Sequence, residues 1–267
     1  MRRILACVLV AGSTAAAQQT FWSGASGGFF IEWTSSDLRV SRGLAAGATV
    51  LSLEAAARTE WKKIAIDSPG QPMQSQTTYR LLSVAGPLLS VEETFYCDCG
   101  GAHPSEVKRF RAIDLRQSKP DQAAPLALTS VFPAGDIFAA LAADKVVAAA
   151  LKDDARKPRS LDELIKALKF QPVPVGDCSF FFGDDLLSSF ALYDVQRERA
   201  AVRISLSHQA EVCRGQMTQL GILLPIPEAI NAGLEAAKGR RAGFLMADDA
   251  KVASGARTVF SFSTPAR

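Results

Sequence analysis

The chain has 267 residues, with 30 Lys and Arg against 27 Asp and Glu, a formal net charge of +3, five cysteines and two histidines. So nearly neutral a balance excludes a nucleic-acid binder built on a basic surface. Beyond the first residues no run is long and apolar enough for a membrane helix, and the length allows one large domain or one domain with an appended lobe.

Met1-Arg2-Arg3, the apolar run Ile4–Val10 and the small residues Ala15-Ala16-Ala17 before Gln18 have the layout of a secretory signal peptide over residues 1–17. Cys7 gives only a faint lipoprotein box, because the apolar run before it is too short. A periplasmic or secreted protein is therefore expected. Loss of Arg2 and Arg3 with the leader lowers the net charge from +3 to +1.

Residues 18–76 read as a lead-in of strands and one helix. Strands are expected at Phe29–Trp33 and Leu38–Ser41, and Ser52 is placed to cap a helix with Leu53, Ala57, Trp61 and Ile64 on one face. Pro69-Gly70 and Pro72 break the chain before the main domain, residues 77–267. A meander follows: Thr78–Ala85, a Gly86-Pro87 turn, a long strand Leu88–Cys99, a turn at Gly100–Pro104, and Val107–Leu115. Leu89, Val91, Phe95, Cys97 and Cys99 share one face of the long strand. Glu93 falls on that apolar side, which predicts that the strand is not buried along its whole length.

After a polar linker, a helical region begins at Thr129 or Ser130 with Ile137, Leu141, Ala148 and Leu151 as its stripe. Ser160 and Glu163 form a capping box for a second helix. Pro172 and Pro174 separate these helices from a second strand group: Ser179–Phe182, Phe190–Val195, Ala201–His208 and Met217–Leu224. A helix from Glu228 stops at Gly239, and Thr258–Ser263 returns as a strand. The expected fold is α+β, a central antiparallel meander with helices packed on one side and disulfide bonds.

Cys97, Cys99, Cys178 and Cys213 remain after leader removal, and an even number in an exported chain is most simply two disulfides. A Cys97–Cys99 bond is the least favoured of the three pairings, because i and i+2 on a strand lie about 6.5 Å apart. Each of the two is therefore expected to reach Cys178 or Cys213. The alternatives are a redox Cys-x-Cys pair, or zinc held by Cys97, Cys99, His103 and a later ligand. No cofactor or metal is expected. There is no Gly-x-Ser-x-Gly elbow and no His-Glu-x-x-His, so no catalytic residue is singled out. Candidate contact residues are His103 at the hairpin tip, Asp114, His208, and Glu211 and Arg214 in the loop around Cys213.

Gly100-Gly101-Ala102-His103-Pro104, a strand ending in Asp114, the run Leu126–Phe132 leading into a helix, and Leu223-Leu224-Pro225-Ile226-Pro227 after Ser205–Gly215 carry a resemblance. Over residues 78–227 the chain resembles an exported domain of unknown function. That domain is found at the C-terminal end of the lysozyme-sensing anti-sigma factor and beside some peptidoglycan deacetylase domains. The chain departs from the family in its cysteines, in lacking the Tyr-Glu and Pro-Tyr residues of the late loop, and in its Phe/Trp-rich opening. The resemblance implies an α+β domain that binds something in the envelope rather than transforming it. In the anti-sigma factor such a domain binds lysozyme, a cationic protein that calls for acidic surface; a mature charge of +1 does not favour that partner. The expected function is a non-catalytic envelope-associated module recognising a peptide, a protein or a cell-wall glycan. The alternatives are an envelope hydrolase acting on peptidoglycan or polysaccharide, and a periplasmic thiol–disulfide protein.

Overall fold

The computed structural model describes residues 18–43, 47–67, 72–100, 103–117, 125–152, 157–169, 171–175, 178–208 and 219–264. Four strands open the chain: β1 (Thr20–Ser26), β2 (Phe29–Thr34), β3 (Asp37–Arg42) and β4 (Ala48–Ser52), paired in sequence order as one antiparallel sheet. Helix α1 (Leu53–Asp67) follows directly, its Ala55 amide donating to the Ser52 hydroxyl as the capping position requires. The meander then forms as β5 (Gln74–Ala85), β6 (Leu88–Asp98) and β7 (Ser105–Asp114). The last strand of the chain joins this sheet at the outer side of β5, giving the order β14-β5-β6-β7, with β14 spanning Arg257–Ser263.

Between them lie a 3-10 turn at Leu128–Ser130, α2 (Ala134–Ala142), α3 (Lys145–Ala150) and α4 (Leu161–Leu168). The expected first helical region is thus two helices, because Asp144 caps α3 by accepting from the amides of Val146 and Val147. The Ser160 box forms as predicted, Ser160 accepting from the Glu163 amide. Short strands β8 (Pro172–Val175), β9 (Cys178–Phe181) and β12 (Ser207–His208) make a third sheet. The two prolines expected to separate elements instead sit in β8, an edge strand, where a missing amide donor is tolerated. The fourth sheet is β10 (Phe190–Gln196), β11 (Arg199–Ser205) and β13 (Gln219–Pro225). The run expected as one strand, Ala201–His208, is therefore divided between β11 and β12, in different sheets. Helices α5 (Glu228–Lys238) and α6 (Asp249–Val252) precede β14.

The fold is mixed α+β with several antiparallel sheets and a disulfide. It is not the single central meander that hydrophobic alternation predicts, and the helices do not gather on one side. The meander sheet is covered on both faces. Ile31, Trp33, Leu38 and Leu53 from the N-terminal layer pack with Leu81, Val84, Leu89, Val91 and Ile113 on one face. Leu88 and Ala112 on the other face join Phe190, Leu192, Val202, Ile222 and Leu234 in a second cluster. Two hydroxyls stitch the second face: the Leu192 amide donates to Ser90 Oγ and the Phe110 amide to Ser189 Oγ, both at 3.0 Å. At the β5–β6 turn, Gly86 (φ 59°) is pressed between Gly27 of the β1–β2 turn (φ 57°) and Gly233 of α5. A Cβ on Gly233 would stand 2.9 Å from the Gly86 backbone, so three layers approach there without side chains.

The cysteine pairing differs from expectation. Cys97 and Cys99 are bonded to each other, with Cα atoms 5.3 Å apart. The reason is local: β6 ends at Asp98, so Cys99 lies past the strand end, just before Gly100, whose φ is 82°. The separation thus shrinks from the strand value into the ordinary disulfide range. Cys178 is also disulfide-bonded; Cys213 lies outside the described residues, as does the leader. No helix among the described residues is long and apolar enough to cross a membrane.

Candidate functional site

The polar feature that the sheet builds is a cleft of about 630 Å³ between α1 and the meander. Its floor follows from strand register. Tyr79 lies opposite Glu93, and Glu93 opposite Arg109, so the three form one row across β5, β6 and β7. Arg111 is two residues along β7 and shares that face. The wall comes from α1, where Ala55, Ala56, Thr59, Glu60 and Lys63 recur at helical spacing. Three of those five are small, so the helix leaves the groove open instead of filling it.

Glu93 is 3% exposed, although the apolar pattern around it predicts a strand partly out of the core. That expectation is corrected: the carboxylate is buried because two guanidinium groups meet it. Arg109 Nη2 donates to Oε1 at 2.7 Å, and Arg111 Nη2 lies 3.5 Å from Oε2. Arg109 also faces Glu60 at 3.8 Å, and Lys63 faces Glu60 at 3.6 Å. Charges therefore alternate along the cleft as Lys63, Glu60, Arg109, Glu93, Arg111, one more cation than anion. Burial works against the charge on Arg109, but Glu93 and then Glu60 more than offset it, and the guanidinium is raised above its ordinary pKa. Tyr79 is driven up chiefly by burial and further by the Glu93 charge, so its phenol keeps its proton at physiological pH.

Chemically this is a cradle for negative charge. Glu93 is held between two cations, and Tyr79 is a proton donor rather than a base. Arg111 ends the chain of charges, held among the described residues by its 3.5 Å contact with Glu93, and faces the cleft with 22% of its side chain exposed.

The residues singled out from sequence fall elsewhere. His103 is exposed at the bend before β7. Asp114 is at the far end of that ten-residue strand, roughly 30 Å away at strand rise. Its carboxylate is 5% exposed and accepts from the backbone amide and guanidinium of Arg116 at 2.7–2.9 Å; this bonding raises the Arg116 pKa. His208 pairs with Phe180 in β12. Glu211 and Arg214 lie outside the described residues. The structure does not bring His103 and Asp114 together. With Cys97 and Cys99 bonded to each other, the zinc reading loses two ligands, and no cluster of three metal-ligating side chains occurs among the described residues.

Sequence reasoning read Glu93 only as a break in burial and passed over Tyr79, Arg109 and Arg111, yet a signal was there. Counting outward from the Gly100–Pro104 turn places 93 opposite Arg111, two residues from its actual partner Arg109, and an out-of-phase carboxylate facing arginines on the next strand is a buried pair in the making. No family model matches the chain, and no curated protein matches it. The likeness described for residues 78–227 rests on its motifs alone.

Proposed function

We propose that the protein is an exported, non-catalytic binding module whose recognition surface is the cleft between α1 and the meander, taking a peptide or cell-wall fragment through a carboxylate. The observation that carries this reading is the charge chain on the cleft floor, which ends in a partly exposed Arg111 beside small α1 side chains. A guanidinium already oriented by a buried carboxylate presents its remaining donors in a fixed fork, the geometry that suits a second carboxylate. The leader pattern supports export, and the disulfide-bonded Cys97, Cys99 and Cys178 fit an oxidising compartment. The resemblance of residues 78–227 to an envelope-binding domain points the same way. We place the surface in the cleft rather than at the His103 turn because the cleft has depth and converging donors.

The test is calorimetric titration of the purified chain with muropeptides and with an acidic peptide, in parallel with Arg111→Met and His103→Ala. Binding that weakens with added salt and is lost in Arg111→Met, but survives in His103→Ala, is the expected result. Retention of affinity in Arg111→Met removes the cleft from consideration, and loss in His103→Ala returns the surface to the hairpin tip.

A further inference from the structure

The cleft leaves the Cys97–Cys99 bridge unexplained. A disulfide stabilises mainly by restricting the unfolded chain, and its effect grows with the loop it closes. With a sequence separation of 2, this one closes almost the smallest loop a disulfide can. Nor does it join distant segments: β6 is already held at Cys97 by pairing to Ser75 on β5 and Ser105 on β7. As a staple the bond is nearly redundant.

Its surroundings are those of an exchange site. Cys97 is 1% exposed, whereas Cys99 is partly exposed at the strand end, so an incoming thiolate can reach one sulfur and not the other. Ser75, 4% exposed, has a buried hydroxyl with no hydrogen-bond partner among the described residues. It sits directly across from Cys97, where Cβ atoms lie about 4.5–5.5 Å apart, within reach of a hydroxyl-to-sulfur bond.

We propose that Cys97–Cys99 is an exchangeable disulfide that accepts electrons from a dithiol substrate, with Cys99 as the attacked sulfur and Ser75 as the group that stabilises the departing Cys97 thiolate. A substrate thiolate attacks Cys99 Sγ; the Cys97–Cys99 bond breaks and its electron pair leaves on Cys97, which accepts the Ser75 hydrogen bond. A second substrate thiolate attacks the substrate sulfur of the mixed disulfide and releases Cys99. The substrate dithiol is oxidised to a disulfide with loss of two electrons and two protons, and Cys97 and Cys99 end as thiols. Exposed disulfides are the labile ones.

The experiment is an equilibrium titration of the full oxidised chain across ratios of reduced to oxidised dithiothreitol, with acid quench, alkylation and mass mapping. Cys97–Cys99 is expected to be half open at a ratio at least tenfold lower than the Cys178 bridge. Reduced glutathione, trapped in the same way, is expected on Cys99 and not on Cys97. Ser75→Ala is expected to slow that capture roughly fivefold, the scale of one hydrogen bond, without changing the far-ultraviolet circular dichroism. Equal opening ratios for the two bridges, glutathione on Cys97, or an unchanged capture rate in a folded Ser75→Ala would each overturn the proposal.

Discussion

Glu93 shows what a single residue against the pattern means. Its neighbours Val91 and Phe95 are buried, and a carboxylate among them would be costly if unpaired. Glu93→Ala strands Arg109 and Arg111 beneath α1. Breaking a fully buried pair costs about 3–5 kcal/mol, but Arg109 is 38% exposed and can turn toward water, so about 1–3 kcal/mol of lost stability in urea denaturation is expected. Tyr79 supplies the pH signature. Its folded pKa lies above the unfolded value of about 10, so its contribution to stability is complete below that pH and is lost as pH rises and the unfolded chain ionises first. In an alkaline titration followed by ultraviolet absorbance, one of the three tyrosines is expected to stay un-ionised until the protein unfolds. The side chains at this scale were in plain view, but the pairing that gives them meaning needs the cross-strand register, and single-strand alternation does not carry it.

Elements with their own local chemistry were legible. The Ser160–Glu163 box, the helix from Glu228 to Gly239 and the clean alternation of Val202 and Ile204 each declare a start, a stop or a face without help from the rest of the chain. Elements defined by a neighbour were not: β1, β4 and β8 exist because another strand lies beside them. The β10–β11 hairpin is a further case. Its two-residue turn is Arg197-Glu198, with φ of 50° and 60°, the left-handed conformation that asparagine and glycine adopt at low cost. Sequence offers no turn signal there because the residues present are poor ones for it. Replacing them as Arg197→Asn/Glu198→Gly is expected to stabilise the protein by about 1 kcal/mol, read as a higher urea midpoint with an unchanged slope.

Across the whole molecule, long-range assembly was the least legible level, because alternation says which face is buried and not what buries it. The Cys97–Cys99 bond is the clearest instance: the strand ends one residue earlier than its pattern, and the pairing changes with it. The stack of Gly27, Gly86 and Gly233 gives a direct test of how tightly the layers are joined. Alanine is the better helix former by about 1 kcal/mol, yet at position 233 its methyl would meet backbone at 2.9 Å, and overpacking of this kind costs about 1–3 kcal/mol. Gly233→Ala is therefore expected to lower the melting temperature despite its helical preference. The position of β14 has a consequence of another kind. Its seven residues cover the outer side of β5 from Gln74 to Arg80, and Thr258 Oγ1 donates to the Thr34 carbonyl at 3.0 Å. Clipping by a protease before Arg257 would uncover a row of bare amides and carbonyls on β5, an adhesive border open to the same border on another molecule. Such a product would be lost to aggregates before it was lost to inactivity.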